Sequence, residues 1–114
     1  MIAVLFEVTP HEGRQENYLA AAEALRAHLQ HLDGFLSIER YASLSHPDKL
    51  LSLSFWRDEA AVAQWRRLDE HRAAQVAGRA DIFCDYRLRV AAVVRDYGLH
   101  DRDQAPLDSR NVHG

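Results

Sequence analysis

Cysteine is nearly absent from this chain of 114 residues: Cys84 stands alone, which excludes a disulfide framework and a thiolate-rich metal cage. A reducing cytoplasm is therefore the expected setting. Long apolar runs are also missing, since none approaches the ~20 residues that a bilayer span requires. The start, MIAVLFEVTP, lacks the basic leader and small-residue cleavage site of a secretory signal, so no membrane role is expected. Charge of one sign does not dominate: 14 basic residues face 17 acidic ones, a formal net charge of -3. The arginines at Arg66, Arg67 and Arg72 sit among Asp58, Glu59, Asp69 and Glu70, whereas a phosphate backbone needs an uncompensated basic stripe. Nucleic acid is not an expected partner. No G-x-S-x-G elbow and no glycine-rich phosphate loop occur, which removes hydrolase, kinase and dinucleotide-binding chemistry.

The length admits one domain with a single modest core, and 47% apolar with 27% charged residues is an ordinary globular balance. Ile2 to Thr9 are mostly β-branched, aliphatic or aromatic and stop at Pro10, the pattern of a strand buried on both faces. After the turn PHEGR, the apolar residues Tyr18, Ala22, Leu25, Leu29 and Leu32 recur at helical spacing up to Gly34. FLSIERYASL (Phe35 to Leu44) and KLLSLSFW (Lys49 to Trp56) flank a loop containing Pro47 and predict a hairpin. Asp58 is a candidate N-cap for a second helix carrying Ala61, Val62, Trp65 and Leu68 on its apolar stripe and ending near Gly78. Ile82 to Tyr97 reads as a last strand, long for so small a domain.

The order β-α-β-β-α-β is the ferredoxin-like α+β arrangement, an antiparallel sheet with both helices on one face. In the first strand Ile2, Val4, Phe6 and Val8 share a face while Ala3 and Leu5 fall on the other, so the second face also needs cover. Two sheets packed face to face in a homodimer would supply it, and the long last strand could cross to the partner. The domain is expected to span 1-99. The segment 100-114 has no periodicity and reads as a tail, either mobile or lying over the partner with Arg102 and Arg110 as anchors.

Chemistry-bearing residues gather around the second helix. Trp65, Leu68 and Arg72 share one face, with His71 less than a turn from that stripe. A tryptophan there is either core packing or the lid of a cavity, and His71 is either solvated surface or a ligand and proton-accepting group. His28 and His31 have a spacing that could share an ion, but no acidic partner lies near in sequence and both point outward, so no metal is expected. Cys84 falls mid-strand, where a thiol is usually inert packing. Charges on strands must be paired: Glu39 and Arg40 interrupt the second strand, and Asp85, Arg87 and Arg89 alternate on one face of the last. They suit ion pairs across a dimer or the lining of a polar pocket.

The element order together with DGFLSIERY, SFWRDEAAVAQW, EHRAAQVAGR and YRLRVAAVVRDY resembles the antibiotic biosynthesis monooxygenase family of dimeric α+β barrels, over Ile2 to Tyr97. The spacing of tryptophan and histidine is most similar to a bacterial subgroup of monooxygenases with unassigned substrates. The resemblance implies a cofactor-independent monooxygenase acting on a small aromatic or quinol-like substrate. His71 would be the catalytic base or hydrogen-bond partner, Trp65, Trp56 and Phe55 the walls, and Arg72 an anion partner. Its haem-degrading branch implies an alternative with His71 as axial ligand. In that branch Trp65 matches the helix tryptophan, the first-strand asparagine is missing, and Glu7 takes its approximate place. A non-catalytic dimeric module that binds a small molecule is the third reading.

Overall fold

The computed structural model describes residues 1–75 and 83–114, with side chains for 1–68 and 83–114. Seven elements follow one another: β1 (Ile2–Pro10), α1 (Gln15–Leu29), β2 (Phe35–Ala42), β3 (Leu50–Trp56), α2 (Glu59–Gln75), β4 (Phe83–Ala92) and α3 (Leu107–His113). The strands form one antiparallel sheet in the order β2-β3-β1-β4, which is the ferredoxin-like α+β fold that the sequence predicts.

Register fixes which side chains share a face. Val4 pairs with Ser54 and Val90, and Val8 with Leu50 and Tyr86, so even-numbered residues of β1, β3 and β4 lie on the helix side. Val4, Leu29, Trp56, Ala61 and Val62 make the main buried cluster, with Ile2, Leu25, Leu32, Phe35, Ile38 and Trp65 packed around it. A second cluster, Val8, Tyr18 and Leu50, is flanked by Phe6 and Phe83. Both helices thus bury their apolar stripes against β1 and β3. Such burial contributes on the order of 25 cal/mol per Å² of apolar surface removed from water.

Local chemistry sets the element ends. Asp58 Oδ1 accepts the Ala61 N–H at 3.0 Å and caps α2 as expected. Arg57 makes a two-pronged bond to Asp33, at 3.0 and 3.1 Å, and reaches Asp58 at 3.2 Å. It ties the turn before β2 to the start of α2. That turn needs Gly34: its φ is +86°, and a Cβ there would stand 2.7 Å from the Ala61 Cβ.

Three boundaries differ from the sequence reading. Helix α1 stops at Leu29, because the Leu32 N–H turns back to the Leu29 carbonyl in a tight i to i+3 turn. Strand β2 ends at Ala42, and Leu44 is 99% exposed in the loop. Strand β4 ends at Ala92, because the Val93 N–H bonds to the Met1 carbonyl and β1 then offers no further partner. Ile82 and Gly78 lie outside the described residues.

The segment expected to lack structure contains α3. Pro106 supplies its extended N-cap, and two arginines hold it. Arg102 donates to the carbonyls of Gly98 and Gly114 and to Ser109 Oγ. Arg110 donates to the carbonyls of Ala105, Arg102 and Asp103. Periodicity could not reveal it, since none of the α3 residues is buried and guanidinium–carbonyl bonds do the holding.

Candidate functional site: the helix side of the sheet

Trp56 and Phe55 are neighbours in β3 and therefore face opposite ways. Trp56 is on the helix side, with no exposed surface; its Nε1–H donates to Ser54 Oγ at 2.9 Å. Its ring stands edge-on to Phe35 at 5.2 Å and tilted against Trp65 at 6.1 Å. With its N–H satisfied and every side enclosed, Trp56 is core that backs Trp65. Trp65 is half-buried on α2, so part of its indole remains uncovered. Phe55 faces the open side of the sheet with Leu51 and Leu53, and so shares no wall with the two indoles. His71 and Arg72 lie in the last part of α2, six and seven residues after Trp65, and their side chains lie outside the described residues.

Sequence reasoning missed the residues that complete this side. Tyr86, Leu88 and Val90 of β4 lie beside Val8, Phe6 and Val4 on the helix side, yet are 60%, 42% and 46% exposed. At one end an aromatic cluster forms: Phe6 lies 5.9 Å from Phe83 and 5.6 Å from Tyr86, and Tyr18 lies 5.8 Å from Phe83. The helix side of β1 and β4 therefore presents an uncharged, partly uncovered floor that runs from this cluster toward the tryptophan pair. A signal was available: charges at every second residue, Asp85, Arg87 and Arg89, leave the intervening Tyr86, Leu88 and Val90 on one apolar face.

The opposite face is half apolar and half ionic. Leu5, Leu51, Leu53 and Phe55 are half-buried there, while Glu7 lies 3.4 Å from Arg89 and 4.0 Å from Lys49. Arg89, expected to pair across a dimer or to line a pocket, has its partner within the chain. The position of Glu7 also bears on haem. The haem-degrading pattern needs a first-strand polar residue beside the helix tryptophan, and Glu7 points to the other side of the sheet and is engaged by Arg89. Glu7 therefore does not stand beside Trp65, while the side chain of His71, the axial ligand in that reading, lies outside the described residues.

Electrostatic perturbation is concentrated at the turn clamp, away from the floor. Hydrogen bonding to Arg57 and its charge hold the Asp33 carboxyl below the usual carboxylate range. The Ala61 N–H, then Arg57, lower Asp58 in the same direction. Glu39 accepts the Tyr41 hydroxyl at 2.9 Å and raises its pKa. Among the described residues no group of three or more histidine, cysteine, aspartate or glutamate side chains could hold a metal ion, and no described helix is long and apolar enough to cross a membrane.

A four-stranded antiparallel sheet in the order β2-β3-β1-β4 with helices packed on one face defines the class of ferredoxin-like α+β proteins. Comparison places the chain within that class. The antibiotic biosynthesis monooxygenase family model matches residues 1–77, and the chain belongs to that family. A jasmonate monooxygenase of Pyricularia oryzae is 46% identical over 93 residues, which cover 82% of this chain and 43% of that protein. The chain thus spans less than half the length of that relative. The protein YqjZ of Bacillus subtilis is 32% identical over 94 residues, 82% of this chain and 79% of YqjZ. A solved Deinococcus radiodurans structure of the antibiotic biosynthesis monooxygenase type superposes with a TM-score of 0.72 at 14% identity, over 86% of this chain and 97% of that one, a likeness of fold alone.

Proposed function

We propose that the protein is a monooxygenase that uses no bound cofactor and oxidises a small aromatic or quinol-like molecule lying on the floor formed by Phe6, Tyr86, Leu88 and Val90. The observation that carries this reading is that uncharged, uncovered floor beside a half-buried tryptophan, in a chain of this family. Trp65 walls the site with Trp56 behind it. Phe55, which the resemblance placed among the walls, belongs instead to the open face. His71 accepts the proton whose removal makes the substrate electron-rich, and Arg72 stabilises the resulting anion. An activated ring CH₂ then becomes a carbonyl: one atom of dioxygen stays on carbon, the other leaves as water with the two hydrogens, and the substrate supplies all four electrons. No external reductant is needed.

The protein is proposed to work as a homodimer whose open sheet faces pack together, since Leu5, Leu51, Leu53 and Phe55 lie half-buried without a covering layer in the single chain. A stable interface of this kind buries more than roughly 2,000 Å².

Dioxygen uptake by purified, chelator-treated, flavin-free protein tests the activity, with hydroquinones, anthrones and jasmonate as substrates. Uptake with an activated ring, and its loss in a folded His71→Ala variant, is the expected result. Turnover of jasmonate only with an added reductant would overturn the cofactor-free mechanism. A haem titration that gives a Soret shift abolished by His71→Ala would replace it with the haem reading. No uptake with any substrate, and no ligand that raises the melting temperature, would leave a non-catalytic module.

A further inference from the structure

The floor proposed to hold the substrate is almost without polar groups. Ile2, Val4, Phe6 and Val8 face the helices from β1, and Ala92, Val90, Leu88 and Tyr86 stand beside them on β4. Among these side chains the Tyr86 hydroxyl alone can donate a hydrogen bond. The nearest donors on β3 are spent or sealed: Trp56 Nε1 donates to Ser54 Oγ at 2.9 Å, and Ser52 and Ser54 are buried. The other tyrosines are placed differently. Tyr18 is buried, Tyr41 donates to Glu39 from the open face, and the Arg102 guanidinium lies 5.3 Å over the Tyr97 ring. Tyr86 is 60% exposed, and its hydroxyl meets no hydrogen-bond partner among the described residues.

The Tyr86 ring is held while its hydroxyl is left over. Phe6 is tilted against it at 5.6 Å and Phe83 stands edge-on at 6.1 Å, two contacts that fix its plane. A donor on a ring already in place needs little ordering when a substrate arrives. Its position along the sheet matches that of the proposed base. Helix α2 starts after Trp56, which lies level with Ile2 and Ala92, and the first described residue beyond it, Phe83, pairs with Pro10 at the other end of the sheet. Position 71 is six residues past Trp65, roughly 9 Å further along the helix axis. The backbone at His71 is thus displaced from the tryptophan pair toward the end that carries Tyr86.

We propose that the Tyr86 hydroxyl is a further catalytic group, donating a hydrogen bond to the substrate oxygen on which negative charge collects when the ring proton is removed. The assignment rests on the monooxygenase reading above. In an anthrone the C–H electron pair moves through the ring onto the ketone oxygen and the proton goes to His71; Tyr86 keeps its own proton and stabilises the enolate by donation. A hydrogen bond to an anionic oxygen is roughly twice as strong as one to a neutral oxygen, so the donor favours the ionised substrate over the bound ground state. It also sets direction. The oxygen end of the substrate lies at the cluster of Phe6 and Phe83, and its hydrocarbon part lies over Leu88 and Val90.

Absorbance titration of 2-hydroxyanthraquinone, whose phenolate absorbs to the red of the phenol, reads this hydrogen bond without turnover. On the full chain the bound dye is expected to ionise at lower pH than the free dye. Tyr86→Phe keeps the ring contacts and is expected to raise the bound midpoint by about one pH unit, a tenfold change in ionisation constant, with the melting temperature unchanged. Oxygen uptake with anthrone should show kcat reduced about tenfold in Tyr86→Phe and KM within about twofold, the split left by a contact made in the transition state. The same bound midpoint in the parent and in Tyr86→Phe overturns the assignment and leaves the floor standing. A displaced midpoint with unchanged kcat overturns the catalytic role. A dye that the parent chain neither binds nor shifts overturns the floor, and Tyr86 with it. A parent that binds the dye but takes up no oxygen defeats the monooxygenase reading on which the role of Tyr86 depends.

Discussion

One face of the sheet behaves in two ways. Around Val4, Val8 and Trp56 the helix side is sealed: each is at most 1% exposed, Val4 and Trp56 packed with Leu29, Ala61 and Val62, and Val8 with Tyr18. Along β4 the same side, made of equally apolar residues, stays partly open at Tyr86, Leu88 and Val90. Composition does not separate the halves. The difference is coverage: the described helix side chains pack over β1 and β3, while on the edge strand β4 Tyr18 of α1 reaches Phe83 and leaves Tyr86, Leu88 and Val90 partly exposed. In the proposed function, a ligand supplies the contacts that the described residues leave unmade on this partly exposed half.

Trp56→Ala should sharpen the contrast most. In the sealed half it removes a wholly buried indole and strands the Ser54 hydroxyl, an expected loss of about 3–5 kcal/mol in urea unfolding. A loss below about 1 kcal/mol would show that the half is not close-packed.

Leu88→Ala probes the open half and should cost under about 1 kcal/mol, because a side chain 42% exposed has few partners to lose. Its expected effect is on function: weaker binding of whichever quinol supports oxygen uptake, read as a raised KM with folding unchanged. Equal stability costs at residues 56 and 88 would break the comparison.

The smallest effect concerns the clamp that anchors the sealed half. Asp33 and Asp58 have lowered pKa values in the fold, so the stability they contribute is present above the ordinary carboxylate pKa and is lost as pH falls through the folded values. Asp33→Asn should flatten the fall in melting temperature on acidification below about pH 4, with a modest drop at neutral pH. An acid limb identical to that of the parent would remove Asp33 from the clamp.

Much of this was legible in order. The alternation in Ile2 to Val8 gave both faces of β1, and the stripe Tyr18, Ala22, Leu29 placed α1, because a period of 2 or 3.6 is imposed by the backbone itself. The hairpin followed from Pro47, and the α2 start from Asp58. The site was legible only in part. Phe55 and Trp56 stand together in SFW and looked like one wall, whereas the pleat sends them to opposite faces. Glu7 looked like a replacement for a distal polar group, and the register turned it toward Arg89.

The sequence by itself thus determined the elements, their order and the family, since periodicity, caps and turn residues act over a few neighbours and read off locally. Only tertiary structure decided that Trp56 is core while Trp65 remains half open, that Tyr86, Leu88 and Val90 of β4 stay partly exposed, and that two arginines tie residues 98–114 together. Each of those depends on which distant groups meet. Sheet order and guanidinium–carbonyl bonds set that across the chain, and they leave no period in the sequence to find.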